Sequence, residues 1–210
     1  YYLPPPQLVK TIHFDTFYPD PNPETSTVDG LTNRSIISET FATIRAGAAT
    51  GSDDSGTTNE FSLYASTTTN EFKFLYRFHH LYDTSSIPDG ANVTSAILSL
   101  FGTTAANGLG GTPSAVIVST APASNTAIAT GDHGNMGTTS FGSILWSSLS
   151  ASAYNDFTLN ASGLANISKT GVSKFGSRTS WDVDNSFDGT WASNASCVLV
   201  VKTAETADVT

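Results

Sequence analysis

The segment Glu71-Phe-Lys-Phe-Leu-Tyr-Arg-Phe-His-His-Leu-Tyr82 is the most informative part of this 210-residue sequence. It is rich in Phe and Tyr, which are enriched in strands, and it contains no glycine or proline. In an extended strand, alternate side chains point to opposite faces. Phe72, Phe74, Tyr76, Phe78 and His80 would then share one face. We predict a long aromatic-rich strand here.

Further strands are predicted on both sides of this segment. Residues 93–101 have apolar side chains on both faces, which is typical of a central strand, and Ile87-Pro-Asp-Gly90 before them is a turn sequence. One short helix is predicted after Asn160, which can cap it, and it would stop at Gly171. The remaining predicted strands are 9–18, 60–65, 114–120, 141–146, 154–159, 181–183 and 197–202.

Composition excludes some function classes. The chain has nine basic residues against 18 acidic ones, a formal net charge of −9. So few cations cannot neutralise a row of phosphates, so we expect no nucleic-acid partner. No apolar run approaches the roughly 20 residues that a membrane helix needs, so we expect no membrane insertion. The single cysteine, Cys197, lies in an apolar strand and is expected to be buried.

Residues 77–101 resemble the core motif of the DNRLRE-type jelly-roll modules. In that family a strand ends in an aromatic-Asp-(Thr/Leu)-Ser step, here Tyr82-Asp-Thr-Ser85. An Ile/Leu-Pro-x-Gly-Ala turn follows, here Ile87-Pro-Asp-Gly-Ala91, and then a strand of the type Val93-Thr-Ser-Ala-Ile-Leu-Ser-Leu100. The resemblance covers roughly residues 12–205. It implies a non-catalytic β-sandwich of the kind found in secreted surface proteins, polysaccharide-active enzymes and phage-like proteins.

From these observations we predict an all-β fold: a single jelly-roll β-sandwich with one short helix, over residues 12–210. Residues 1–11 are predicted to form an extended proline-rich arm that mediates assembly, because consecutive prolines favour the polyproline II conformation. The residues assigned to this arm are Tyr1, Tyr2, Leu3, Pro4, Pro5, Pro6, Leu8 and Val9.

The end of the sequence suggests a second assembly element. Members of the jelly-roll family usually continue into a final strand of Asp-Pro-Lys-Leu type, whereas this sequence stops at Asp208-Val-Thr210. We expect either that the end has been lost or that a sheet edge is open. An open edge has unpaired N–H and C=O groups that can bind another chain.

No catalytic constellation is evident in the sequence. There is no Gly-x-Ser-x-Gly elbow, and His79 and His80 are neighbours on a strand, so they point to opposite faces. His133 lies in a Gly-Asp-His-Gly turn. We therefore expect a protein that is not an enzyme.

Oxygen ligands for a metal ion occur at alternate positions in one loop: Asp182, Asp184, Ser186 and Asp188. This spacing suits calcium, and the jelly-roll resemblance raises that prospect, although the sixth-position glycine and the glutamate of an EF-hand are missing. The alternative is a solvated acidic loop. If the loop binds a metal ion, we expect a structural calcium ion, and we expect no other cofactor.

Aromatic side chains could stack on sugars. Trp146 and Trp181 lie in predicted strands and are expected to pack in the core, which leaves Trp191 as the best exposed candidate.

We expect a non-enzymatic structural subunit of a virion decoration or fibre, or of an extracellular filament. Its partners would be copies of itself or other subunits, at an extracellular or virion surface. A carbohydrate-binding module that attaches to polysaccharide is the alternative. An exposed Trp191 in a groove would favour that alternative.

Overall fold

The computed structural model describes residues 12–206, so the predicted arm, residues 1–11, lies outside the described residues. Ten strands and three short α-helices form within this range. The strands are β1 (Asp29–Thr40), β2 (Gly51–Asp53), β3 (Thr58–Ala65), β4 (Glu71–Asp83), β5 (Ile97–Asn107), β6 (Ser114–Ser119), β7 (Gly142–Leu145), β8 (Tyr154–Thr158), β9 (Val172–Thr179) and β10 (Ser196–Lys202). The helices are α1 (Phe41–Ala46), α2 (Ala161–Ala165) and α3 (Ser180–Asp184).

The strands pair in the order β7-β6-β9-β4-β3-β10-β5-β8, and all the pairs are antiparallel. β1 pairs with β4 and with the short β2. The two end strands lie close to one another. A Cβ atom on Gly142 of β7 would lie only 2.7 Å from the carbonyl oxygen of Thr158 on β8. The sheet therefore nearly closes on itself like a barrel.

β4 organises this arrangement. Its residues 72–76 pair with β3 and its residues 78–83 with β9, while β1 pairs along residues 71–80. A strand has only two edges, so β3 and β9 must follow one another along the edge opposite β1. β4 thus joins the β3-β10-β5-β8 group to the β9-β6-β7 group.

The core is apolar and aromatic. Its fully buried members include Phe61, Leu63, Phe72, Leu75, Phe78, Phe157 and Leu199. Trp146, Trp181 and Cys197 are buried in it as well, as the sequence predicts. Burying each large apolar side chain stabilises the fold by about 1.5–3 kcal/mol.

The predicted all-β class is confirmed, but the prediction of one short helix is wrong, since the described chain has three. Asn160 does cap α2, accepting a hydrogen bond from the Gly163 amide. Residues 181–183, predicted as a strand, belong to α3 instead. The Thr179 side chain accepts a hydrogen bond from the Asp182 amide, and Asn185 ends the helix at a φ of 54°. Caps at both ends favour the helix over the strand.

The predicted alternation along β4 is interrupted. Phe72, Leu75 and Phe78 enter the core, whereas Phe74 and Tyr76 pack against Tyr64 with ring centroids 5.6 and 6.2 Å away. The register between β3 and β4 shifts beside Phe72, which is the signature of a β-bulge. One extra residue there moves Leu75 to the core face, and the second change, between Leu75 and Phe78, falls where the neighbour of β4 changes from β3 to β9.

Within residues 12–206, no helix is long and apolar enough to cross a membrane.

Candidate functional site

Trp191 lines a pocket of about 450 Å³, hereafter the Trp191 pocket. Its walls come from the start of α1, the β3–β4 turn and the loop between α3 and β10. The lining residues are Phe41, Ala42, Asn70, Phe72, Asn185, Ser186, Phe187 and Trp191. Four of these eight side chains are aromatic, three are neutral and polar, and none is charged. Such a lining suits an uncharged ligand that has both apolar and hydroxyl surfaces.

The aromatic floor of the pocket is held by ring packing. Phe187 lies edge-on to Phe72 and Trp181, with centroids 5.0 and 4.8 Å away, and 5.9 Å from Phe41. Trp191 is half-buried, and its indole Nε1 donates a hydrogen bond of 2.9 Å to the backbone carbonyl of Glu71. These contacts fix the rings before any ligand arrives.

The polar rim consists of exposed side chains. Asn70 and Asn185 both adopt positive φ angles, 62° and 54°. The side chains of Asn70, Asn185 and Ser186 make no hydrogen bond with the described part of the chain. Each therefore keeps its donors and acceptors available to a ligand. The sequence singled out Trp191, and Ser186 only as a calcium ligand, and it did not connect them with Phe41, Asn70 and Phe72, which lie more than 100 residues earlier in the chain.

The structure separates the predicted calcium ligands. Asp182 is 1% exposed and its carboxylate faces two arginines, while the Asp188 carboxylate accepts a hydrogen bond from Trp181 Nε1. Asp184 is exposed, and Ser186 lines the Trp191 pocket. Among residues 12–206 no group of three or more acidic, histidine or cysteine side chains is arranged to hold a metal ion. Asp182 does not fit the role of a calcium ligand, because both of its oxygens are already engaged.

Asp182 instead joins a buried ionic cluster. Arg77 and Arg178 each donate two side-chain hydrogen bonds to its carboxylate, at 2.7–2.8 Å. Arg45 lies nearby, with its Nε 3.6 Å from Oδ1. Burial alone would raise the pKa of Asp182, but the charge of Arg77 and the hydrogen bonds from Arg178 and Arg77 hold it below its usual value. The cluster joins β4, β9 and α3, and the lowered pKa keeps the Asp182 carboxyl ionised at neutral pH.

A chain of buried hydroxyl and imidazole groups adjoins that cluster. The Thr32 hydroxyl lies 3.1 Å from Nε2 of His79 and 2.9 Å from Nδ1 of His133, and His79 Nδ1 lies 2.8 Å from the Thr120 hydroxyl. Burial lowers the pKa of His79 to about 4, and burial together with the charge of Arg77 lowers the pKa of His133 to about 3. Both imidazoles are therefore neutral at physiological pH, and the groups are inaccessible to a substrate.

A second buried carboxyl lies beside residues 204 and 205. Asp29, at the start of β1, is 3% exposed and accepts a hydrogen bond from the Ala204 amide. Burial and the nearby charge of Glu205 raise the pKa of Asp29 to about 8, and Glu24 adds to the effect. Buried oxygens of Glu24 and Glu205 have no hydrogen-bond partner in the described chain. Repulsion among these carboxylates favours the protonated form of Asp29.

The segment that follows the predicted arm is extended and exposed. Residues 12–19 have no regular secondary structure, so the described part of the predicted 9–18 strand is not a strand. Their backbone groups make no hydrogen bond within the described chain. Ile12, Phe14 and Tyr18 are 72%, 88% and 50% exposed. These residues have even numbers, so their side chains would share one face of an extended strand.

Comparison with known proteins adds no assignment. No family model matches the chain, no curated protein matches it, and no solved structure matches it.

Proposed function

We propose that this chain is a non-enzymatic structural subunit of a surface-displayed assembly, either a virion decoration or fibre or an extracellular filament. Under this proposal the fold is a jelly-roll sandwich of the DNRLRE type. Subunits pack through the N-terminal arm and an open sheet edge.

The exposed N-terminal segment carries the proposal. A monomer leaves Ile12, Phe14 and Tyr18 in water, and burying side chains of this size stabilises a contact by about 1.5–3 kcal/mol each. The free backbone groups of residues 12–19 can pair with a strand edge, as in β-strand addition. A second copy of the chain can satisfy both requirements at once.

Candidate edges are available within residues 12–206. In this range β2 pairs only with β1, which leaves its other edge open, whereas the outer edges of β7 and β8 face one another where Gly142 meets Thr158. β8 and its neighbour also present apolar side chains, since Tyr154 is 49% exposed and Ile97 on β5 is 62% exposed. The open edge of β2 is therefore the acceptor that we favour for the backbone of the segment, and the exposed face of β5 and β8 offers a further apolar contact.

The test is the assembly state of the full chain and of three variants, measured by light scattering and negative-stain imaging. Deleting residues 1–18 should leave Asp20 in place, where its carboxylate organises the Thr25–Thr27 turn. We expect the full chain to assemble, and both the deletion and Phe14→Asp to give folded monomers. Ile37→Asp is the matched control, because Ile37 is 94% exposed but lies outside the segment.

A monomeric full chain, or normal assembly after the deletion, would overturn the proposal. Equal loss of assembly in Ile37→Asp and Phe14→Asp would also contradict it, since the contact would then not be specific to the arm.

A further inference from the structure

We propose that the Trp191 pocket binds a ring of a neutral carbohydrate. This proposal concerns a different surface from the N-terminal segment, so failure of the assembly function would not overturn it.

The floor of the pocket is suited to the apolar face of a sugar ring. Phe187 and Trp191 line the pocket and are half-buried, which leaves part of each residue accessible. The bond from the Trp191 indole to the Glu71 carbonyl fixes its plane. A sugar ring presents C–H groups on its faces, and a preformed aromatic surface binds such groups without reorganising.

The rim of the pocket is suited to sugar hydroxyls. A hydroxyl both donates and accepts hydrogen bonds, and so do the amides of Asn70 and Asn185 and the hydroxyl of Ser186. None of these three side chains is engaged elsewhere in the described chain. A purely apolar ligand would leave them unpaired, which a partner rich in hydroxyl groups avoids.

The charges around the pocket restrict the kind of sugar that it can bind. The lining has no cationic side chain, and the flanking residues Glu71, Asp184 and Asp188 are acidic. The whole chain carries a net charge of −9. Uronic or sialic acids and phosphates would be repelled, so the sugar is neutral. The volume of about 450 Å³ lies within the range of small-molecule sites.

The experiment is a titration of the full chain with neutral oligosaccharides: maltohexaose, cellohexaose and chitohexaose, with oligogalacturonate as the anionic comparison. Tryptophan fluorescence is the readout, because Trp146 and Trp181 are buried and Trp191 faces the pocket. We expect at least one neutral probe to change the fluorescence saturably and oligogalacturonate to have no effect.

The variants replace the two rim residues that have positive φ angles. Asn70→Gly and Asn185→Gly delete the amides, and glycine adopts these angles without strain. Combining them should weaken binding by roughly tenfold or more, as expected for the loss of two hydrogen bonds. Asn194→Gly is the matched control, because Asn194 also has a positive φ, of 57°, but does not line the pocket. Its affinity should equal that of the unmodified chain.

Three outcomes would overturn the proposal. One is the absence of saturation by any neutral probe up to about 10 mM, a limit that corresponds to very weak binding. Another is equal weakening by Asn194→Gly and by the double variant. The third is loss of assembly in the double variant, which would make the pocket an interface between copies of the chain.

Discussion

Arg77 and Asp182 are 105 residues apart in the sequence, and their side chains meet in the interior through two hydrogen bonds of 2.8 and 2.7 Å. Arg178 binds the same carboxylate from the next strand, β9. A single buried carboxylate thus forms ion pairs with two buried guanidinium groups. Because a buried charge without a partner is very costly, each member of the cluster depends on the others.

Replacing Asp182 by Asn should therefore destabilise the protein strongly. The amide cannot neutralise Arg77 and Arg178, whose side chains are only 5% and 3% exposed. We expect the free energy of unfolding to fall by about 3–5 kcal/mol, measured by denaturant titration. Asp184→Asn removes a charge from an exposed residue of the same helix and should change stability by at most about 0.5 kcal/mol. Similar losses in the two variants would contradict this assignment.

The same cluster leads to a prediction about calcium. With both oxygens of Asp182 bound to arginines, the loop retains Asp184 and Asp188 as its acidic side chains, and Asp188 accepts the Trp181 indole N–H. Adding millimolar calcium or a chelator should leave the melting temperature unchanged, since a ligand stabilises a protein only by binding its folded state. A rise with calcium that Asp184→Asn abolishes would reinstate the loop as a metal site.

The sequence predicts an element well where its own residue pattern matches its structure. It does not predict an element whose structure depends on contacts with distant residues. The aromatic pattern of β4 and the cap at Asn160 were sufficient to predict that these elements exist, but α2 ends at Ala165 and not at Gly171. β1, Asp-Gly-Leu-Thr-Asn-Arg-Ser-Ile-Ile-Ser-Glu-Thr, was not predicted, because its hydroxyl residues show no alternation; it forms by pairing with β4. Thr32, within it, is buried by contacts with His79 and His133 that no local pattern reveals.

The candidate site shows the same division. Trp191 was recognisable as an aromatic residue outside the strands, but its pocket is completed by Phe41 and Asn70, which the fold brings from distant segments. The aspartate spacing after residue 181 was misleading for a related reason. Aspartates at alternate positions suit a metal-binding loop. Here, however, residues 180–184 form helix α3, which turns Asp182 inwards, towards Arg77.

Acid should destabilise the fold through the buried histidines. Burial lowers the pKa of His79 to about 4, and burial and neighbouring charge lower the pKa of His80 and His133 to about 3. Below the ordinary histidine value of about 6.5, the unfolded chain binds protons that the folded chain does not. The free energy of unfolding should fall as the pH drops from about 6.5 towards 4, with each histidine contributing up to about 1.4 kcal/mol per pH unit.

Denaturant titrations at pH 7, 6 and 5 measure this slope. His80→Phe is the informative variant, because the His80 ring is stacked with Phe175 at 6.4 Å and the substitution removes its titration. The variant should show a shallower slope than the unmodified chain. An identical slope would mean that the pKa of His80 is the same in the folded and unfolded chains.

Asp29 should have the opposite effect to the histidines: it should lower the free energy of unfolding as the pH rises. Burial and the charge of Glu205 raise its pKa to about 8, so the folded chain holds a proton that the unfolded chain loses near pH 4. This contribution to stability is complete below about pH 4 and is lost as the pH rises to about 8. Asn has no such proton to lose, and its amide oxygen can still accept from the Ala204 amide.

Asp29→Asn should therefore become more stable relative to the unmodified chain as the pH increases from 5 to 8. Paired denaturant titrations at the two pH values give the difference, to which the histidines contribute equally in both proteins. A difference that does not change with pH would show that Asp29 is ionised in the folded protein.

The close approach at Gly102 gives a steric prediction. Gly102 lies in β5 where the register with β10 shifts, and its amide donates a 3.0 Å hydrogen bond to the Ala153 carbonyl. A Cβ atom there would lie 2.1 Å from the carbonyl oxygen of Ser150, so the 150–153 loop would have to move. We expect Gly102→Ala to lower the free energy of unfolding by about 1–3 kcal/mol, as overpacking does. Gly90→Ala is the control, because no atom beyond its two chain neighbours lies within 4 Å of its Cβ position, and it should be neutral or slightly stabilising. Equal stability of the two variants in denaturant titration would show that the Ser150 loop yields freely and that the contact does not constrain the edge at β8.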